Sequence, residues 1–316
     1  MDMGMRRAAA LASAAVVALF AAGCEEESAK PKELPPIPAE KHRIVSLGPF
    51  VTEILFAVGA DKQLVGVTDC CDYPPAAKKI ACIGTFNSPS IEKILSLKPT
   101  LVIGSSMATP EFTAAMKAAD VRVLETYQNS FMEVFDSIRA IGAATGRSAE
   151  ADKLAAAMQT ELARIASRYT RLPGQSGPRV FIEVCSDPLT TAGGTSFLQD
   201  VVTRAGGVNV AKDITQMYPT VNPEKVVEWD PEVIVLCYMT PPGQAEMRIA
   251  NRIGWGKISA IKSHRIITDI PPDLLLRPGP RLLEAVSILE ERLNPPPKPP
   301  ATLPGGKPAP PPEGPA

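Results

Sequence analysis

Histidine is nearly absent from this chain, which has 2 histidines in 316 residues, His42 and His264. So few histidines exclude a His-rich zinc site and argue against a Ser-His-Asp catalytic site. The sequence also lacks a Walker A loop, a Gly-x-Gly-x-x-Gly after a strand pattern, a His-Glu-x-x-His and a Gly-x-Ser-x-Gly. These absences predict a protein that is not an enzyme and has no metal site of its own.

A basic stripe is also lacking. The formal net charge is -1, and lysines and arginines are scattered along the chain. Nucleic acid is therefore not expected as a partner.

The N-terminus has the pattern of an export signal. Arg6 and Arg7 precede an apolar run from Ala8 to Phe20, which is followed by Ala21-Ala22-Gly23-Cys24. The run is shorter than the about 20 residues of a membrane-spanning helix. Residues 1–23 are therefore predicted to be a signal peptide.

The Ala-Gly-Cys sequence at the predicted cut is similar to a bacterial lipobox, so Cys24 is predicted to carry a lipid anchor. Ordinary cleavage beside an incidental cysteine is the alternative. Residues 24–42 are charged and proline-bearing and would act as a lipidated tether, whereas residues 295–316 are predicted to be a disordered Pro-rich tail. We expect a membrane-anchored lipoprotein in the periplasm or at the cell surface.

One short sequence unit occurs twice. Glu92-Lys93-Ile94-Leu95 leads through a proline to the apolar run 101–103, and Glu224-Lys225-Val226-Val227 leads through a proline to the run 233–235. Each copy predicts a short helix that begins at a polar turn and is followed by a buried strand. The repeat predicts two similar lobes that enclose a cleft, where small ligands bind.

Strand and helix patterns alternate in both halves, which is typical of parallel sheets wrapped by helices. We assign residues 43–128 to an N-terminal lobe and residues 174–294 to a C-terminal lobe. Residues 129–173 between them have helical periodicity and no strand pattern. The predicted fold class is α/β, with two similar lobes joined by one long α-helix and a ligand cleft between them.

Six cysteines in a chain with an export signal indicate disulfide chemistry. Cys70, Cys71 and Cys82 lie close together in sequence, and we expect one bridge from Cys70 or Cys71 to Cys82. Cys185 and Cys237 lie in apolar runs, which favours buried thiols.

Three segments carry a resemblance to a known family. They are Val67–Ala77, which contains Asp-Tyr-Pro-Pro, Ser90–Ile94, and Leu276–Arg281, which contains Arg-Pro-Gly-Pro-Arg. The chain from Arg43 to Leu293 resembles the periplasmic-binding-protein family whose members carry cobalamin, haem or ferric siderophores to ABC importers. It looks most like the cobalamin-binding branch.

The resemblance implies a ligand site in the cleft. Its implied members are Tyr73, Phe86, Tyr218, Asp273 and Arg277. Aromatic faces suit a corrin or porphyrin, which is a broad apolar disc, and polar groups suit its amide or acid fringe. Simpler interpretations stay open, namely packing beside a proline turn for Tyr73, ordinary core for Phe86, plain exposure for Tyr218 and a local ion pair between Asp273 and Arg277.

Two positions depart from the cobalamin branch. Phe86 stands where that branch has tryptophan, and Ser105-Ser106 occupy a loop that carries another aromatic residue there. The implied ligand is a cobalamin-like corrinoid, with haem or a ferric siderophore as the alternative, and no further cofactor is expected.

The resemblance also assigns a role to the two repeated glutamates. Glu92 and Glu224 match the acids that dock each lobe on a dimeric permease, although a charge favourable at a helix N-terminus would explain them as well. The implied protein is a monomer that delivers its ligand to an ABC permease dimer. A surface sensor or interaction module without transport is the second alternative, and an extracellular enzyme is a third.

Overall fold

The computed structural model describes residues 38, 41–105, 109–169, 175–238 and 244–295. The predicted signal peptide, Cys24, most of the tether, Ser106 and residues 296–316 of the predicted tail lie outside the described residues. Within the described ranges, no helix is both long enough and apolar enough to cross a membrane.

The N-terminal lobe is built on a parallel sheet. Its strands are β1 (Ile44–Ser46), β2 (Leu64–Val67), β3 (Ala81–Cys82), β4 (Leu101–Gly104) and β5 (Arg122–Glu125), and its helices are α1 (Pro49–Ala57), α2 (Ile91–Ser96) and α3 (Pro110–Ala118). The strand order is β3-β2-β1-β4-β5. Strands β1 and β4 are buried along their whole length, as expected for central strands covered by helices on both faces.

Two helices follow this lobe, α4 (Phe131–Thr145) and α5 (Ser148–Ala166), so the prediction of one long connecting α-helix is wrong. Gly146 ends α4 in the left-handed conformation, with φ of 71°, which glycine adopts without strain. The two helices pack closely, since a β-carbon on Gly142 would lie 2.3 Å from the β-carbon of Ala151. The connection is a helical hairpin.

The C-terminal lobe contains the second sheet. Its strands are β6 (Arg179–Ser186), β7 (Leu189–Thr191), β8 (Val208–Asn209), β9 (Val233–Leu236) and β10 (Ile266–Ile267), and its helices are α6 (Phe197–Arg204), α7 (Pro223–Trp229), α8 (Gln244–Ala250), α9 (Ser259–Lys262), α10 (Pro272–Leu276) and α11 (Leu282–Leu293). Strand β7 pairs with β6 in the antiparallel direction, and the other pairs are parallel. Helix α4 packs on α1, whereas α5 packs on α6 and α11, so the hairpin links the two lobes.

The lobes repeat one topology, as the duplicated sequence unit predicts. The parallel order is β2-β1-β4-β5 in the first lobe and β8-β6-β9-β10 in the second. Contacts repeat as well: the Arg43 guanidinium donates to the Leu97 carbonyl at 2.8 Å, and that of Arg179 donates to the Asp230 carbonyl at 2.7 Å. Each arginine ties the first strand of its lobe to the end of the repeated helix, α2 or α7. The two-lobed α/β fold class is confirmed.

Candidate functional site

A cavity of about 500 Å³ lies between the two lobes, within the range of about 300–1,000 Å³ that small-molecule sites occupy. Part of its wall follows the carboxyl ends of parallel strands, because Phe50 comes after β1, Cys70 after β2 and Ser105 after β4. Ligands bind at this edge of α/β sheets. The other lining residues are Pro49, Phe86, Gln128, Asn129, Phe197, Met217, Tyr218, Leu276, Arg277 and Pro278.

Aromatic rings reach this cavity from both lobes. Phe50 and Phe86 come from the N-terminal lobe, and Phe197 and Tyr218 come from the C-terminal lobe. Gly48 permits the close approach of the first pair, since a β-carbon there would lie 3.1 Å from the Phe50 ring and 3.2 Å from the Phe86 ring. The cavity can therefore cover a flat apolar molecule from two sides.

Two polar side chains of the wall can donate hydrogen bonds to a ligand. Burial raises the pKa of Tyr218, so its hydroxyl stays protonated at neutral pH. Gln128 is 9% exposed, and its Nε2 has no hydrogen-bond partner among the described residues. A buried donor of this kind gains free energy when a ligand supplies an acceptor.

Arg277 is a polar residue of the wall and also joins the lobes. Its guanidinium lies 2.5 Å from Asp72 of the N-terminal lobe and 3.1 Å from Asp273 on α10. The hydrogen bond from Arg277 lowers the pKa of Asp72, which favours the ionised carboxylate of Asp72. The local pair of Asp273 with Arg277 therefore exists, and a contact of either residue with ligand stays a prediction.

A second arginine of the same segment holds Tyr73. Arg281 donates to the buried carboxylate of Glu53 at 2.7 and 3.0 Å, and its Cζ lies 3.7 Å from the centre of the Tyr73 ring. Tyr73 is 42% exposed and lies beside this pair, whereas Phe86, Tyr218 and Arg277 share the cavity wall. The ligand role of Tyr73 stays a prediction.

The two repeated glutamates occupy equivalent, exposed positions. Glu92 is in the first turn of α2, which Ser90 caps, and Glu224 is in the first turn of α7, which Asn222 caps. Each carboxylate also interacts favourably with the dipole of its helix. The structure places one acid on each lobe, as the docking hypothesis requires, and docking itself stays a prediction.

The profile of one family, described as periplasmic binding protein, matches residues 44–273. The chain belongs to the periplasmic binding protein family. An uncharacterized ABC transporter substrate-binding lipoprotein of Bacillus subtilis, YvrC, is 36% identical to it over 264 residues, which are 82% of this chain and 82% of that protein. A vitamin B12-binding protein of Vibrio cholerae is 30% identical over 256 residues, which are 79% of this chain and 88% of that protein.

The fold is also similar to that of a periplasmic binding protein of known structure. The periplasmic haem-binding protein RhuT of Roseiflexus sp. RS-1, in its apo form, matches with a TM-score of 0.68 and 30% identity, covering 80% of this chain and 97% of that one. The predicted family is confirmed. The vitamin B12-binding protein and RhuT are named for different ligands.

Sequence reasoning missed several wall residues of this periplasmic binding protein. Phe50 and Phe197 lie in the first turns of α1 and α6, which are equivalent helices of the two lobes. Each helix follows the first strands of its lobe, so the repeat itself was a signal that could have identified both phenylalanines. Gln128, Met217 and Cys70 carry no comparable signal.

The expected bridge from Cys70 or Cys71 to Cys82 is wrong, because all three cysteines are free in this periplasmic binding protein. Strand β3 presents Cys82 at the surface, where its thiol donates to the Gly84 carbonyl at 3.6 Å. Cys237 is a buried thiol as expected, whereas Cys185 is partly exposed at the end of β6. Among the described residues, no group of three or more His, Cys, Asp or Glu side chains is arranged to hold a metal ion.

Proposed function

We propose that this protein is the substrate-binding protein of an ABC importer and that it captures a cobalamin-like corrinoid in the cleft between its lobes. The observation that carries the proposal is the cavity wall, which combines aromatic rings from both lobes with a few buried polar groups. Aromatic side chains bury a broad macrocycle with little loss of conformational entropy. The vitamin B12-binding relative and the substrate-binding lipoprotein support this assignment.

Each part of the wall would have a role in binding. Phe86 and Tyr218 would cover the macrocycle from opposite lobes, and Gln128 and Arg277 would donate to its amide fringe. Arg277 is already held by Asp72 and by Asp273. Its remaining N–H groups would therefore be presented in a fixed direction, which lowers the entropic cost of binding.

Delivery would use Glu92 and Glu224. One exposed acid on each of two similar lobes suits a partner with twofold symmetry, since each carboxylate can pair with arginines on one subunit of a permease dimer. The protein would act as a monomer and remain on the membrane through a lipid on Cys24, in the periplasm or at the cell surface. The lipoprotein relative supports the anchor.

The protein would perform no chemistry on its cargo and would carry no resident cofactor. The relatives described above are named as binding proteins, which supports this view. Conversion of a bound corrinoid into a product would contradict it.

Haem or a ferric siderophore is the alternative ligand. The observation in its favour is the haem-binding protein that matches at 30% identity, together with a phenylalanine at position 86. A surface sensor without transport is the second alternative, and it would need neither docking glutamate.

Titration calorimetry on the full chain decides among the ligands. Cyanocobalamin is expected to bind tightly with one-to-one stoichiometry, and haemin and a ferric siderophore serve as the comparison ligands. If only haemin or the ferric siderophore gives a heat of binding, the proposed ligand is wrong and the cleft remains the proposed binding site. Absence of binding to all three would refute the proposed function.

A further inference from the structure

Two adjacent thiols lie on the N-terminal wall of the cavity. Cys70 lines the cavity, and the neighbouring Cys71 is 3% exposed. Both sulfur atoms lie within hydrogen-bond distance of the same hydroxyl, since Thr68 Oγ1 is 3.5 Å from Cys70 Sγ and 3.1 Å from Cys71 Sγ. Both thiols are free in a chain whose N-terminus predicts export to a compartment where disulfides form.

The two thiols differ in protonation. A hydrogen bond from Cys71 lowers the pKa of Cys70, which favours the thiolate form of Cys70. The same bond, together with burial, raises the pKa of Cys71, which keeps its proton. A thiolate is the attacking species in disulfide exchange, and a neighbouring thiol can resolve the product.

We propose that Cys70 and Cys71 are a reversible redox site, which closes to a disulfide between adjacent residues by exchange with an external disulfide. The Cys70 thiolate attacks the external disulfide, forms a mixed disulfide and releases one thiolate. Cys71 then gives up its proton and attacks Cys70 Sγ as a thiolate, and the second external sulfur is expelled and takes up that proton as a thiol. The protein pair loses two electrons, and the external disulfide gains them.

Geometry favours a reversible bond over a structural one. Adjacent α-carbons are about 3.8 Å apart, whereas disulfides usually join α-carbons about 4.4–6.8 Å apart. A bond between neighbours is therefore strained, and strained disulfides are readily reduced. Such a bond can open again when an external thiol is available.

The turn that holds the pair also holds two residues of the cavity wall. Asp69 accepts a hydrogen bond from the backbone N–H of Phe86 at 3.2 Å, and Asp72 pairs with Arg277 at 2.5 Å. Ring closure at Cys70 and Cys71 would shift the backbone between these two aspartates. Oxidation would therefore displace Phe86, Arg277 or both and weaken ligand binding.

Mass spectrometry of the full chain after treatment with glutathione disulfide tests the redox site. The expected result is the loss of two alkylatable thiols, with an internal bond in the fragment that contains Cys70 and Cys71, and recovery of both thiols with dithiothreitol. The variants Cys70→Ser and Cys71→Ser should abolish this bond, and the matched controls Cys82→Ser and Cys185→Ser should retain it. A bond to Cys82, a stable glutathione adduct on Cys70 or two thiols that stay reduced would overturn the proposal.

Calorimetry with cyanocobalamin tests the coupling to the cavity. The oxidised chain should bind about tenfold more weakly than the reduced chain, the effect of losing one hydrogen bond to a charged group. In Cys71→Ser, glutathione disulfide should produce no internal bond. Equal affinities of the oxidised and reduced forms would overturn the coupling. Failure of cyanocobalamin, haemin and a ferric siderophore to bind either form would refute the proposed function and the coupling, while the mass result would still decide the redox site.

Discussion

Replacement of Arg281 by alanine should leave a buried carboxylate without its partner. The Glu53 side chain is 2% exposed, and it accepts hydrogen bonds of 2.7 and 3.0 Å from Arg281. Burial raises the pKa of Glu53, and the hydrogen bond and charge of Arg281 are the largest effects that oppose this rise. In Arg281→Ala, Glu53 stays buried but loses the hydrogen bond and the positive charge that oppose most of the rise in its pKa.

The expected loss of unfolding free energy near neutral and higher pH is about 3–5 kcal/mol, the cost of removing one partner from a buried ion pair. The loss should be smaller at about pH 5, because the pKa of Glu53 rises further in the variant and the carboxyl takes up a proton. A carboxyl whose folded pKa is raised above its ordinary value of 4.5 contributes full stability below that value. This contribution is lost as the pH rises through the folded pKa, so the deficit of the variant should grow from about pH 5 to about pH 8.

Urea unfolding of both proteins, followed by circular dichroism, measures the loss of unfolding free energy at about pH 5 and at about pH 8. Glu53→Gln is the matched control, because it keeps the side-chain volume and removes the titrating group. In the Glu53→Gln background, Arg281→Ala should cost less and should show little dependence on pH. An equal cost of Arg281→Ala at both pH values, or equal destabilisation by Glu53→Gln alone, would contradict this role of the ion pair between Arg281 and Glu53.

Three further perturbations address the cleft, the docking face and the hairpin. Phe86→Ala should weaken ligand binding about ten- to hundredfold in calorimetry, since it removes an aromatic wall; unchanged affinity would contradict the cleft assignment. Glu92→Ala combined with Glu224→Ala should preserve ligand affinity and strongly reduce uptake by cells, whereas full uptake would favour the sensor alternative. Gly142→Ala should cost about 1–3 kcal/mol in urea unfolding, because its β-carbon would lie 2.3 Å from another β-carbon; Gly256→Ala, with nothing within 4 Å, is the control and should be nearly neutral.

The sequence predicts the parts of the fold that local patterns determine. The duplicated Glu-Lys unit marks two helices, α2 and α7, that begin at side-chain caps and lead to buried strands. Because both copies follow the same local rules, the two lobes follow from the repeat. The resemblance adds Phe86, Tyr218 and Arg277, which the structure brings to one cavity wall.

Contacts between distant segments are not visible in local patterns. Glu53 is the one charged residue of an otherwise largely apolar helix, and only its ion pair with Arg281 explains why it is buried. Asp72 pairs with Arg277 across the lobes, and no spacing in the sequence indicates this. The break at Gly146 had a local signal, since glycine commonly ends helices, but helical periodicity continues on both sides of it.

The segment from Arg277 to Arg281 connects the cavity wall with the junction of the lobes. Its first residue lines the cavity and pairs with Asp72, and its last residue pairs with the buried carboxylate of Glu53. Both acids belong to the N-terminal lobe, whereas the segment leads into α11, which packs on α5 and α6. Separation of the lobes would break both ion pairs and expose a buried charge. We therefore infer that the cleft opens by a small tilt about the helical hairpin, with Arg277 lying both on the cavity wall and at the contact between the lobes.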